Sequence, residues 1–298
     1  MLALEYVLGA IQNVFLPINL FAVFIGTFAG IVIGALPGLS TVMGLSILLP
    51  FTLSFSGMGG MYMLLGVFCG GIYGGSISAS LLNTPGTSAS AATALDGYPM
   101  ANKLGQPGRA LGISTLASLF GGLFSAICLC IFAPMLAKVA LKFSAQEYFA
   151  LAVFGISIVA GLTGKSVIKG VIGGVIGLLL ATIGIDGMGG VSRFTFEEMA
   201  KGYKAEKNRM KIEHVFPSKS DLKRIFPTLI RSSIIGTFIG AVPGTGGDIA
   251  SWVSYSQAKT WSKHKEEFGH GSPEGIAASE SGNNAISGGA FVPLLSMG

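Results

Sequence analysis

Between Glu5 and Asp96 the chain contains no Lys, Arg, Asp, Glu or His. A fold in water has to cover a stretch of that length with polar surface, and this stretch carries no charge to do it with. The surroundings it suits are hydrocarbon, and the expectation is an integral membrane protein that crosses the bilayer several times. Overall composition points the same way. Charged residues make up 11% of the chain and hydrophobic ones 51%, whereas a typical soluble domain carries about 25% charged residues.

The formal charge of +5 does not imply a nucleic-acid partner. Nine of the nineteen Lys and Arg residues fall between Arg193 and Arg224, interleaved with five acidic residues. That distribution reads as a cytoplasmic loop under the positive-inside rule. The opening "MLALEYVLGA" has no basic segment before its first apolar run, so this segment is expected to remain as a span and not to be removed as a signal peptide. Cys69, Cys128 and Cys130 sit in apolar runs without metal-ligand spacing. Free thiols buried as small hydrophobes are expected there.

Apolar runs suited to helical spans cover Val14–Leu36, Met61–Leu82, Ala110–Leu136, Glu147–Thr163, Val167–Ile185 and Ile225–Val242. Each reaches or approaches the ~20 residues that a ~30 Å hydrocarbon core requires. Thr41–Phe55 is shorter and is interrupted by Pro50, which predicts a broken helix or one arm of a re-entrant hairpin. Thr84–Leu95 is shorter still. Gly26, Gly30 and Gly34 recur every fourth residue, as do Gly66 and Gly70, and Gly170 and Gly174. Small residues at that spacing predict helix faces in close backbone contact.

One phrase occurs twice. "IGTFAGIVIGALPGLS" begins at Ile25 and "IGTFIGAVPGTGG" at Ile235, each an apolar run ending in Pro-Gly and then small residues. A fainter echo links "GGSISASLLNTPGTS" (Gly74–Ser88) to "GGAFVPLLSMG" (Gly288–Gly298). If the charged loop is cytoplasmic, counting five spans back places the amino terminus outside and the two copies in opposite directions. The count holds only if Thr41–Phe55 does not cross fully. The expected architecture is thus an all-α polytopic membrane protein with broken or re-entrant helices and inverted repeats. Residues 1–190 form the first repeat, 191–224 the charged loop and 225–298 the start of a second repeat. Matching interruptions in two inverted repeats are the sequence mark of a secondary transporter's binding site.

The chemistry at such breaks is anion handling. Proline ends or opens a helix, and glycine lets the backbone turn close to a ligand. Free N–H groups at the following helix start favour negative charge. Hydroxyls of Ser40, Thr41, Thr87, Ser88 and Thr245 can bond a carboxylate without placing a charge in lipid. Asp248 is either a cation ligand or proton site at membrane depth, or a helix-start residue facing solvent. Glu280, Asn283 and Asn284 form a polar cluster before the last apolar run, as ligands or as a turn. Asp186 and Arg231 read as interfacial.

Enzyme signatures are weak. "VAGLTGKS" (Val159–Ser166) has Val where a phosphate loop needs its first glycine, and His214, His264 and His270 have no metal-ligand spacing. A membrane-embedded enzyme would have only Asp248 and Glu280 for a titratable cluster. No catalytic residue, resident metal or cofactor is expected.

The long motifs are specific. "GALPGLS", "GGSISASLLNTPGTSASAATALDGYPM" followed by "GQPGRALG", "RFTF", and the segment from "RSSIIGTFIGAVPGTGGDIASW" to "ESGNNAISGGAFVPLLSMG" together resemble the large membrane subunit of tripartite tricarboxylate transporters, the TctA family. The resemblance implies a multi-pass carrier of the bacterial inner membrane. Its partners would be a small membrane subunit and a periplasmic solute-binding protein. It would import citrate-like or related organic acids, driven by an Na⁺ or H⁺ gradient. By motif, the site residues would be Pro37, Gly38, Ser40, Asn83, Thr84, Pro85, Gly86, Thr87, Ser88, Pro243, Gly244, Thr245, Gly246, Gly247, Asn283 and Asn284, with Asp248 as the cation-coupling candidate. That family continues past "LLSMG", and follows "RFTF" with an apolar stretch where Glu197 to Lys219 is charged here. The resemblance therefore covers roughly its N-terminal 60%. The alternative expectation is a truncated, non-transporting fragment or remnant of such a carrier.

Overall fold

Small residues set the first contact of the fold. Helix α1 (Pro17–Ala35) buries Asn19, Ala22, Gly26, Gly30 and Gly34 on one stripe and leaves Phe21, Phe24, Phe28 and Val32 exposed. The stripe lies on α3 (Gly59–Leu82). A Cβ added at Gly26, Gly30 or Gly34 would collide with the backbone of Met63, Val67 or Gly71 respectively. Both series ascend together, so α1 and α3 run parallel, with backbones as close as an absent side chain allows.

The computed structural model describes residues 9–52, 55, 57–140, 215–242 and 245–297, together with 172, 176, 179, 184–185, 192–193 and 212–213. The expected spans Glu147–Thr163 and most of Val167–Ile185, the Gly170–Gly174 face, Val159–Ser166, Asp186, His214, most of the charged loop, and Pro243 and Gly244 lie outside the described residues. Apart from a two-residue antiparallel ladder, β1 (Gly184–Ile185) with β2 (Ser192–Arg193), the described architecture is helical, as expected. Among the described residues, three helices are long and apolar enough to cross a membrane: Pro17–Ala35, Gly59–Leu82 and Pro107–Ile131.

Parallel packing of α1 and α3 requires the chain to travel back between them, and α2 (Thr41–Thr52) makes that journey. The Cβ positions of Gly71, Gly44 and Gly60 place Thr41 beside Gly71, Gly44 beside Val67 and Thr52 beside Gly60. Helix α2 therefore runs antiparallel to α3 over the same axial distance. Its ends lie at the middle and at the start of α3, so α1 and α2 form a re-entrant hairpin of which Thr41–Thr52 is one arm, the second of the two forms expected at Thr41–Phe55. Twelve residues at 1.5 Å each suffice because the packed part of α1 is itself short.

The chain re-enters a second time after α3. Asn83 ends that helix in the left-handed region, at φ 54°. The chain then folds back along α3, so that the Gly86 N–H donates to the Gly75 carbonyl. A Cβ on Gly86 would fall on the Gly34 carbonyl at the end of α1. A 3₁₀ turn (Ser88–Ser90), α4 (Ala91–Tyr98) and a π turn (Pro99–Lys103) climb back out and lead to α5 (Pro107–Ala140).

The second unit repeats the plan of the first. Helix α6 (Lys219–Gly240) runs parallel to α8 (Pro273–Met297), with Gly236 against Gly282 and Gly240 against Ile286. Helix α7 (Gly247–Trp261) returns antiparallel between them, with Gly247 near Asn283, Ser254 at Gly282 and Tyr255 at Gly275. The two units face in opposite directions. Tyr73 and Ser76 of α3 bond Thr115 and Ser114 of α5 in descending order. Ser118 and Ser125 of α5 bond Glu280 and Ser287 of α8 in ascending order. Helices α3 and α8 are therefore antiparallel, and Phe68 meets Phe291 edge-on with ring centroids 5.7 Å apart. The sequence repeat is inverted in space.

At one end, Ser218 and Asp221 form a capping box at the start of α6. Asp221 also takes a two-point contact from Arg109 at the start of α5, at 2.5 and 3.0 Å. Burial acts to raise the Asp221 carboxyl, but the bonds from Arg109 and Ser218 and the guanidinium charge outweigh it. They hold the group below its ordinary value. The three cysteines are free, as expected, but they are not core residues: Cys69 and Cys130 lie on the outer surface and Cys128 is half-buried. In a helix bundle set in lipid, an apolar run does not require an inward face.

Candidate functional site

Three helix starts converge where the two units meet. Ser40 caps α2, its Oγ accepting the Met43 N–H at 3.2 Å. The 3₁₀ turn opens at Ser88. Helix α7 opens from the extended Gly246. Between them lies a cavity of about 510 Å³, lined by Gly38–Val42, Gly86–Ala89 and Thr245–Asp248. Its walls are Phe68 and Ile72 of α3 and Asn283, Ile286 and Ala290 of α8. Those wall residues fall near the middle of α3 and α8, so the cavity sits at mid-length of the bundle.

No Lys, Arg or His is among the described lining residues. Any positive character of the site comes from the helix starts and their dipoles, and Gly38, at φ 93°, gives the backbone its turn. Gly247 needs to be glycine for a second reason, since a Cβ there would strike Asn283 Oδ1 and crowd Ala89. Asp248 stands in the first turn of α7, where the dipole favours a carboxylate, and its Oδ1 accepts the Ser88 hydroxyl at 2.9 Å. Asn283 is 1% exposed, and neither its Nδ2 nor its Oδ1 has a protein partner.

The family model described as "Tripartite tricarboxylate transporter TctA family" matches residues 20–204 and 197–298. The chain belongs to the TctA family. An uncharacterized 52.8 kDa protein in the TAR-I ttuC′ 3′ region of Agrobacterium vitis is 41% identical to this TctA chain over 307 aligned positions. That alignment covers 95% of the chain and 61% of the relative. A second uncharacterized protein, in the TAR-II ttuC′ 3′ region of the same organism, is 49% identical over 63 residues, 21% of this chain and 26% of its own length. The TctA chain thus spans 61% of the length of the curated relative it matches most fully. No solved structure matches it.

Of the residues singled out in the sequence, Gly38, Ser40, Gly86, Thr87, Ser88, Thr245, Gly246, Gly247, Asp248 and Asn283 all line this one cavity, as does Thr41. Five of the described site residues expected by motif do not line it. Pro37 lies in the turn behind it, and Asn83, Thr84 and Pro85 form the bend at the end of α3, where the Thr84 hydroxyl donates to the Leu82 carbonyl. Asn284 points to the opposite side of α8, where its amide donates to Ser118 Oγ at 2.8 Å and to the Glu280 carbonyl at 3.0 Å. Thr245 lines the cavity, but its hydroxyl is occupied, donating to the Val242 carbonyl at 2.7 Å and also contacting that of Ile239. It closes α6 and does not offer a free donor.

Sequence reasoning missed the apolar walls. Phe68, Ile72, Ile286 and Ala290 carry no local signal, because an apolar residue in a membrane helix faces lipid, core or cavity according to packing alone. Asp96 also escaped notice. It is fully buried, and its Oδ1 accepts the N–H groups of Gly269, Gly271 and Ser272 at 2.8–3.0 Å. It ties α4 to the turn that starts α8.

Proposed function

We propose that this TctA-family chain is the membrane subunit of a tripartite secondary transporter, a multi-pass protein of the bacterial inner membrane. It imports tricarboxylates or related organic anions, driven by a cation gradient, and it is not an enzyme. A small membrane subunit and a periplasmic solute-binding protein are its partners. Family membership supports the class of protein and the class of substrate.

The single observation that carries the reading is the cavity between two inverted units. Its polar lining is made of helix starts, hydroxyls and one unpartnered, buried amide. An orphaned amide in a closed interior costs about 1–3 kcal/mol. Facing a cavity, it is ready for a ligand that both accepts and donates, or for an ion and its counter-ion. Helix starts bind a carboxylate without a buried lysine or arginine, which leaves release uncomplicated by a strong ion pair. Asp248 gives the same site one negative group for a coupling Na⁺ or H⁺.

The test is uptake of radiolabelled citrate by cells that express the chain with its two partner subunits, with and without an imposed Na⁺ or H⁺ gradient. A panel of other di- and tricarboxylates is run beside it. Gradient-dependent accumulation of one of these acids, abolished when the chain is deleted, is expected. Accumulation equal in deleted and complemented cells for every acid tried overturns the proposal.

A further inference from the structure

One helical turn before Asn283, Glu280 is fully buried, and among the described residues no cation pairs with it. Its two oxygens have distinct surroundings. Oε2 accepts from Ser118 Oγ at 3.0 Å and from the Asn284 amide at 3.4 Å. Oε1 lies 2.5 Å from Thr93 Oγ1, and Thr93 Oγ1 lies 2.9 Å from Ser279 Oγ. Ser279 Oγ in turn donates to the Gly275 and Ile276 carbonyls at 3.0 and 3.1 Å.

Counting hydrogens along that chain is decisive. Three links run from Glu280 through Thr93 and Ser279 to a backbone carbonyl, and each link needs one hydrogen. Thr93 and Ser279 bring one hydroxyl hydrogen each. With Glu280 ionised, one link is left as two oxygens facing each other without a hydrogen between them. With Glu280 neutral, its own O–H supplies the third, and all donors point one way: Glu280 Oε1 to Thr93, Thr93 to Ser279, Ser279 to the carbonyl. At Oε2 the count closes in either state, because Ser118 and Asn284 are the donors. An ionised carboxylate without a counter-charge in this interior would also bear an uncompensated desolvation cost.

We infer that Glu280 is a proton-binding site, held as the neutral acid by the Thr93–Ser279 relay between α4 and α8. Other groups on the neighbouring helices are engaged elsewhere. Tyr73 of α3 bonds Thr115, and Asp96 of α4 faces the 269–272 turn. Tyr255 of α7 packs on Phe268, and Asp248 of α7 faces the cavity. Arg109 of α5 pairs with Asp221, Arg224 of α6 with Glu267 and Glu274, and Arg231 of α6 stacks on Trp261. Lys219, Lys223 and Lys259 are exposed.

The position gives the proton a consequence. Thr93 belongs to the re-entrant segment that brings Ser88 to the cavity, and Glu280 belongs to the helix that brings Asn283 to it. Loss of the proton breaks the relay and loosens one cavity wall from another. In the proposed carrier, on which this last step rests, Glu280 is where a coupling proton is held.

The proton itself is tested without substrate, by infrared spectroscopy of the purified chain in liposomes at neutral pH. Wild type is expected to show the carbonyl-stretch band of a buried protonated carboxylic acid. Glu280→Gln should lose it, while Asp96→Asn and Asp248→Asn keep it. A wild type without the band, or a Glu280→Gln protein that retains it, overturns the inference. Should Glu280→Gln not fold, Thr93→Val serves instead: it removes the proton's acceptor and shifts the band, and an unshifted band is equally fatal. Uptake can fail while the band is present, and the band can be absent while uptake succeeds, so the two proposals fail separately.

Discussion

The Ser88 hydroxyl donates to Asp248 Oδ1 at 2.9 Å across 160 residues of sequence. It is a direct polar contact between the re-entrant turn of the first unit and the opening of α7 in the second. Both residues line the cavity, so the contact joins its two halves at the point where an anion and a coupling cation would meet.

Asp248→Asn and Ser88→Ala separate those roles. Asn keeps an acceptor for Ser88 but removes the charge, so uptake by Asp248→Asn should persist at reduced rate and lose its response to an imposed Na⁺ gradient, while a proton response held at Glu280 remains. Ser88→Ala should keep the Na⁺ response and weaken apparent substrate affinity by roughly fivefold, the equivalent of about 1 kcal/mol for one ordinary hydrogen bond. Initial uptake rates against cation concentration distinguish them. An Na⁺-gradient response in Asp248→Asn equal to wild type removes Asp248 from coupling.

Asn283 and Asn284 are adjacent but should behave oppositely. Asn283→Ala removes an amide that has no protein partner, so thermal stability in detergent should hold or rise while substrate affinity falls. Asn284→Ala strips a donor from Ser118 and from Glu280 and should cost about 1–3 kcal/mol of stability. Matched melting curves and uptake KM values for the two proteins check this, and identical profiles would contradict the placement of the two side chains.

Glycine contacts give a stability contrast. Gly30→Ala places a methyl against the Val67 backbone, and Gly236→Ala against Gly282. Backbone cannot yield as a side chain does, so each should cost about 1–3 kcal/mol as overpacking and lower the yield of folded protein in detergent. Gly122, where a Cβ meets nothing within 4 Å, is the control. Gly122→Ala should be neutral or slightly stabilising. Equal losses at all three positions would argue against close backbone packing.

The Arg109–Asp221 pair should show itself in acid. The folded-state value of Asp221 is depressed, so its contribution is fully present above the ordinary carboxylate value of about 3.9. That contribution is lost as pH falls through the lower folded value. The difference in melting temperature between wild type and Asp221→Asn should therefore be constant at neutral pH, begin to shrink near about pH 4 and vanish only below the depressed folded value. A difference that disappears between pH 6 and 8 would point to another group.

Several features were legible because they are local. A charge-free stretch from Glu5 to Asp96 demands lipid whatever the fold, and the runs at Val14–Leu36 and Met61–Leu82 became α1 (Pro17–Ala35) and α3 (Gly59–Leu82). Glycine every fourth residue marked the α1–α3 contact, since 3.6 residues per turn keeps such positions on one face. The small residues that follow each Pro-Gly, Leu39–Thr41 and Thr245–Asp248, line the cavity, and a chain interruption at membrane depth is costly unless it lines a site.

What the tertiary structure alone decided is direction and rotation. Thr41–Thr52 fitted either a broken helix or a re-entrant arm until α1 and α3 proved parallel, with α2 returning the chain from the middle of α3 to its start. That depends on contacts such as Gly34 with Gly71, to which the intervening residues are indifferent. Likewise, successive residues on a helix point about 100° apart, so one of Asn283 and Asn284 had to face away from the cavity. Which one was settled by Ser118 and Thr93, residues more than 150 positions distant that place Glu280 and Asn284 on the inner side of α8. Composition and periodicity determine what a segment is made for, whereas long-range packing determines which way each side chain looks.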